Sequence, residues 1–253
     1  MGYLKKSRSQ IILACFLLFS LVVALVPAID LDISRLFYHG GFPRDQWWQS
    51  FLHDTLNWFL CLSLGSVLAC YALNKILKRN FFNVDGRRVT YLFAVLIIGA
   101  GLIVNWTLKD NFGRARPRDV AEFGGHKTFT PAFVISRECR TNCSFSSGDA
   151  AGGFFSIALV FALARRSRVA LVAGLAVGII ESMARISSGA HFFSDTGVSF
   201  FVMLITADVL FFYIVMTAAE RAAPRTGKEP APGYAEAVAD PVAEPRTGNL
   251  PGL

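Results

Sequence analysis

Histidine is scarce in this sequence: four in 253 residues, at positions 39, 53, 126 and 191. So scattered a set offers no cluster of imidazoles for a metal centre, and neither a metal nor any other cofactor is expected. Cysteine is nearly as rare, at five. Cys139 and Cys143 lie close together, but no second Cys or His pair accompanies them, which argues against zinc. Charge is also in short supply. Asp, Glu, Lys and Arg make up 17% of the chain and sit in short clusters between long apolar runs, unlike the charge of a soluble domain. The net charge of +7 invites a nucleic-acid reading. The cations flank apolar segments, however, which is the placement that orients membrane helices, so no nucleic-acid partner is expected.

What the chain has in quantity is apolar surface: 53% hydrophobic residues, 23 of them Phe, and a mean hydropathy of +0.46. About 20 apolar residues carry a helix across the hydrocarbon core. Six spans can be drawn, at residues 11–28, 56–73, 90–108, 148–164, 169–186 and 192–217. The expected fold is therefore all-α, a polytopic six-helix membrane bundle over residues 1–217. The first run follows Lys5, Lys6 and Arg8 as a signal peptide would, but its length reads as an uncleaved span. Residues 30–54 are polar yet carry Trp47, Trp48, Phe51 and Leu52, which reads as an interfacial segment. Residues 218–253 are rich in Ala, Pro and Glu and repeat Pro-Arg-Thr-Gly at 224–227 and 245–248, the composition of a disordered cytoplasmic tail.

The N-terminus, the 75–88 and 165–168 loops and the tail hold 15 of the 25 Lys and Arg, and would be cytoplasmic by the positive-inside rule. The other ten lie on the opposite side, an excess that binding of an anionic substrate would explain. Cys139 and Cys143 fall on that side, in an oxidising compartment, as a local disulfide or as free thiols. Cys15, Cys61 and Cys70 sit in apolar spans as small hydrophobes.

Three clusters on that same side carry chemistry. The first runs from Lys109 to Arg116 and Pro117. Seven residues are two helical turns, so both cations can point one way, with Pro117 ending the helix. A pair of cations suits a phosphate dianion, and Arg adds a bidentate fork. The second is Ser147-Gly148-Asp149 at the start of the fourth span. It reads either as an anion site built from free amides at a helix start, or as a Ser N-cap with Asp149 complementing the dipole. The third runs from Arg185 through His191 to Asp195. Four residues apart on a helix, Asp195 could hold one imidazole nitrogen protonated and leave the other to attack phosphorus. Arg185 would neutralise charge on the phosphoryl oxygens. A plain His–Asp cap is the alternative. Within the spans, Glu181 lies one turn before Arg185 and can pair with it, while Asp208 has no partner evident in the sequence.

Lys-x6-Arg-Pro, then Ser-Gly, then Arg-x5-His-x3-Asp resembles the signature of the phosphatidic-acid phosphatase type 2 superfamily, over about residues 90–215. The resemblance implies a six-helix membrane fold. Lys109, Arg116 and Arg185 would bind phosphate together with Ser147 and the Gly148 amide. His191 would form a phosphohistidine, oriented by Asp195, without metal. One departure stands out: the family's His after Ser-Gly, which protonates the leaving group, is Asp149 here. Ala184 also stands where a Ser often precedes the Arg. An acidic residue at 149 behind a paired-Cys loop is similar to some bacterial lipid A phosphatases.

The expected function is thus a multi-pass phosphatase of the bacterial inner membrane, taking phosphate from a membrane lipid at the periplasmic face, with lipid A as a candidate substrate. A lipid phosphotransferase, or a phosphatase acting on undecaprenyl pyrophosphate or phosphatidylglycerophosphate, is the nearest rival. A non-catalytic lipid-binding or transport protein is the alternative of another class. If Asp149 is the general acid, it must be protonated at working pH. Three nearby cations oppose that, while desolvation and a bound dianion favour it.

Overall fold

The structure is a computed structural model that describes residues 3–43 and 47–216; the predicted tail at 218–253 lies outside the described residues. The described residues form seven α-helices: α1 (Tyr3–Leu25), α2 (Ala28–Arg35), α3 (Trp47–Leu77), α4 (Gly86–Ala94), α5 (Gly148–Leu163), α6 (Arg168–Ser187) and α7 (Phe193–Leu210). Helix α4 continues through Val95–Lys109, and α7 through Phe211–Val215, in wider π-type turns. Five of these are long and apolar enough to cross a membrane. The sixth, α5, has 16 residues, about 24 Å at 1.5 Å per residue.

Its position explains the short length. Helix α5 is the centre of the bundle, with eleven buried residues, and packs on α6, α7 and the α4 extension. Small residues let the backbones close up. A Cβ on Gly153 would meet Gly178 Cα at 3.0 Å, and one on Gly178 would strike the Phe154 ring at 2.1 Å. Ser156 Oγ donates to the Gly174 carbonyl of α6 at 2.6 Å, a hydrogen bond between helices of the kind that holds bundles in lipid. By contrast α1 exposes Ile11, Leu17, Leu18, Leu21 and Leu25, and α3 exposes Trp58, Leu62 and Ile76. A surface so rich in large apolar side chains is at home in lipid.

Helix α1 belongs to the bundle. Phe16 and Phe19 stack against Phe201 at 5.5 and 5.4 Å between ring centroids. Asp208, unpartnered in the sequence reading, receives Arg8 at 2.8 Å and Ser9 Oγ at 2.9 Å. An interior carboxylate thus ties α7 to the start of α1.

Two expectations are corrected. Trp47, Trp48, Phe51 and Leu52 are not a separate interfacial segment but the first turns of α3. No proline interrupts residues 47–77, so nothing stops the helix from starting there. Nor are Lys109 and Arg116 two turns apart on one helix. The helix ends at Lys109, and Arg116 is extended, at φ −81° and ψ 154°. The chain turns away at Gly113, whose φ of +59° suits glycine, and its carbonyl accepts from Cys139 N at 2.9 Å and Ser136 Oγ at 2.6 Å. A Cβ there would lie 2.1 Å from the Ser136 carbonyl oxygen.

Candidate active site

The ends of α4, α5, α6 and α7 that carry the three motif clusters meet at one end of the bundle, under the loop of residues 110–147. Cys139 and Cys143 in that loop form a disulfide.

His191 stands just before α7, not within it, and is 1% exposed. Its Nδ1 lies 2.7 Å from the Ser144 carbonyl oxygen and 3.8 Å from Asp195 Oδ2. A carbonyl only accepts, so Nδ1 carries the proton and Nε2 keeps its lone pair. Burial pushes the imidazole pKa below its ordinary value, with Arg116 and Lys109 adding to the shift and Asp195 resisting it.

Asp195 sits one step behind. Its Oδ2 accepts from Ser144 Oγ at 2.5 Å and from Phe192 N at 2.7 Å. Its Oδ1 takes Arg114 Nη1 at 2.5 Å. Arg114 is a residue that sequence reasoning missed. It is 1% exposed and reaches Asp30 Oδ2 at 2.8 Å, Ser194 Oγ at 2.8 Å and the Thr130 carbonyl at 2.8 Å, with the Phe192 ring 4.3 Å beneath it. Burial works against its charge, but Asp195 and Asp30 outweigh burial and raise its pKa. Asp30 completes the set by accepting from Ser194 N at 2.8 Å and Ser194 Oγ at 2.5 Å. The platform beneath His191 is therefore a buried Asp30–Arg114–Asp195 chain joining α2, the loop and α7.

In front of His191 stand the cations. Lys109 and Arg116 are both within its electrostatic reach. Arg116 also donates to the Asn142 carbonyl at 2.8 and 3.2 Å. Burial, then Arg118 and Arg185, lower its pKa, so an anion entering here meets under-compensated charge. Ser147 is the N-cap of α5, accepting from Ala150 N at 3.3 Å. That leaves the first amides of the helix, beginning with Gly148, as free donors toward an anion. Gly148 is also where α4 comes close: a Cβ there would sit 2.7 Å from Asn105 Oδ1.

With Ser147 as the cap, Asp149 has other partners. Its Oδ2 accepts from both Nε and Nη2 of Arg185, the former at 2.6 Å. Its Oδ1 lies 3.5 Å from Nδ1 of His53 on α3. Glu181 stands 3.8 Å from Arg185 Nε. Beside this group, residues 37–43, α3 and α6 form an open, mainly apolar cavity of about 900 Å³, lined by Phe42, Trp48, Leu52, Ile180 and Met183, and reaching Ala184, the residue before Arg185.

Anion-binding cations around a neutral, buried imidazole, on a bundle of membrane helices, are the marks of a membrane enzyme that handles phosphoryl groups. Comparison with known proteins names the class more narrowly. Residues 89–220 match the PAP2 superfamily. A lipid A 4'-phosphatase of Francisella tularensis subsp. novicida is 36% identical over 203 residues, covering 75% of this chain and 88% of that protein. Lipid A 4'-phosphatases of Rhizobium etli and Rhizobium leguminosarum are 30% and 34% identical, over 71% and 67% of this chain and 76% and 80% of theirs. No solved structure matches the chain. The chain belongs to the PAP2 superfamily. It is a multi-pass membrane lipid phosphatase, a phosphoric monoester hydrolase.

Proposed function

We propose that this protein removes a phosphate from lipid A at the periplasmic face, through a phosphohistidine on His191. One observation carries the mechanism: His191 is buried, its Nδ1 proton is fixed on the Ser144 carbonyl, and Nε2 is left as a nucleophile beside Lys109, Arg116 and Arg185. In this reading Lys109, Arg116, Arg185, Ser147 and the Gly148 amide receive the phosphate. Asp195 positions His191 from behind, through Ser144. As Nε2 bonds to phosphorus, charge on the transferring oxygens is met by cations already in place, the electrostatic contribution that dominates phosphoryl transfer. Water then releases the phosphate.

The lipid is inferred from the printed names of the three relatives, whose named position is the 4'-phosphate. The apolar cavity beside Arg185 supports it, since it offers acyl chains a place next to the phosphate site. The periplasmic orientation rests on the placement of the 25 Lys and Arg.

The test uses purified protein with lipid A vesicles, with and without an acceptor lipid. Free phosphate, and acid-labile phosphate on the protein that His191→Ala abolishes, are the expected results. Turnover by His191→Ala would overturn the mechanism. Phosphate appearing on the acceptor rather than in solution would make the enzyme a transferase.

A further inference from the structure

The chemistry above leaves one proton without a source. When the P–O bond breaks, the departing sugar or alkyl oxygen needs a proton, and Asp149, the residue nearest in sequence to the family's acid, is bound on Oδ2 by two guanidinium N–H groups. The structure places a second histidine at this spot. His53 projects from the second turn of α3, with Nδ1 3.5 Å from Asp149 Oδ1. That nitrogen is buried and makes no hydrogen bond. On its other side, the Asn57 amide nitrogen lies 3.4 Å from Nε2, at the exposed edge of the ring. A carboxylate only accepts, so Nδ1 carries its proton toward Asp149 and Nε2 is the nitrogen that gives and takes one. The charged groups facing His53 from other helices are Asp149 of α5 and Glu181 of α6, each of which also pairs with Arg185.

We propose that His53 is the general acid of the reaction, held against the leaving oxygen by Asp149. This rests on the phosphohistidine reading. The placement suits a lipid. The apolar cavity is lined by Leu52 and Ala184, the neighbours of His53 and Arg185 in the chain, so it opens beside both, and a lipid seated there with its phosphate at Arg185 is taken to turn its leaving oxygen toward His53. In the first step the Nε2 lone pair of His191 forms the P–N bond and the P–O electron pair goes to the leaving oxygen. That oxygen takes the Nε2 proton of cationic His53, while Asp149 keeps the Nδ1 proton. In the second step water attacks phosphorus, the P–N pair returns to His191, and the water proton goes to His53. Each turnover ends with both imidazoles as they began. Imidazole is suited to such two-way exchange because it titrates near neutral pH.

A general acid matters in proportion to how poor the leaving group is. The test compares His53→Gln with wild type on two substrates that share one acyl chain, an alkyl phosphate and a nitrophenyl phosphate. The variant should lose about a hundredfold or more in kcat on the alkyl ester. On the nitrophenyl ester, whose leaving group departs unprotonated, the first-turnover burst of nitrophenolate should stay within about threefold of wild type, while later turnovers slow for want of the second-step base. A burst slowed as much as the alkyl ester, or no loss on the alkyl ester, would overturn the role of His53. His191→Ala is the separate control. It should abolish both activities, and if it does not, the phosphohistidine reading fails independently of His53.

Discussion

Arg114 and Asp195 are joined at 2.5 Å in the interior of the protein, where their side chains are 1% and 0% exposed. The same guanidinium holds Asp30 at 2.8 Å, 84 residues away in sequence. Neither carboxylate reaches solvent, so each depends on Arg114 for its charge. Removing one member of a buried pair leaves an uncompensated charge, at a cost of about 3–5 kcal/mol. Arg114→Met should therefore lower the unfolding midpoint in detergent sharply, with activity lost in step with the folded fraction. An unchanged midpoint would show that the network does not hold α2 to α7.

That network also shows what could be read from the chain. The spans, and the candidate residues that the structure gathers at one end of the bundle, were legible because spacing and charge placement act locally. Lys109, Ser147, Arg185 and His191 each lie at or beside a helix end, where an apolar run gives way to polar residues. Arg114 hid inside the six residues between Lys109 and Arg116, and its partner Asp30 belongs to the stretch read as an interfacial segment. The available signal was the excess of cations on this face, with Arg114 among the ten. His53 was counted only as one of four scattered histidines, evidence against a metal. Its closeness to Asp149 depends on how α3 packs against α5, which no periodicity encodes.

The orientation can be tested through the loop disulfide. Helices that end at Lys109 and Ser187 and begin at Gly148 and Phe193 put Cys139 and Cys143 on the site face. In a variant with Cys15, Cys61 and Cys70 replaced by Ala, a membrane-impermeant thiol reagent added to spheroplasts after mild reduction should label Cys139, the more exposed of the pair. Labelling seen only after the cells are opened would place the site in the cytoplasm.

The protonation of His191 has a direction that can be measured. Burial lowers its pKa from the ordinary 6.5, so the neutral nucleophilic form persists into mildly acidic solution. The sign for stability follows. Between the folded value and about 6.5 the unfolded chain binds more protons, so stability falls as pH falls through that window. Imidazole NMR of labelled protein, assigned by the signal lost in His191→Ala, should show His191 titrating below 6.5. Titration above that value would mean that Asp195 outweighs burial, and that His191 is partly cationic at working pH.

Asp149→Asn separates three roles for this residue. As a helix cap, Asp149 would be replaced by Asn almost without effect, but Ser147 already caps α5, with Ala150 N 3.3 Å from its hydroxyl. As the general acid itself, it would be needed only for poor leaving groups, and Arg185 would keep its place. As the anion that holds both Arg185 and His53, its loss should act twice, because both of its oxygens face those partners. Arg185 would lose the carboxylate that aims its fork, and His53 the charge that keeps it facing the site. The expected result is a fall in kcat of about a hundredfold on an alkyl phosphate, the scale of a lost proton donor, with a smaller but distinct fall on a nitrophenyl ester. KM should change little, because the looser aim of Arg185 is offset by the removal of a negative charge beside a dianion. A loss confined to the alkyl ester, with the nitrophenyl ester unaffected, would return the acid role to Asp149. A raised KM with unchanged kcat would show that Asp149 serves binding alone.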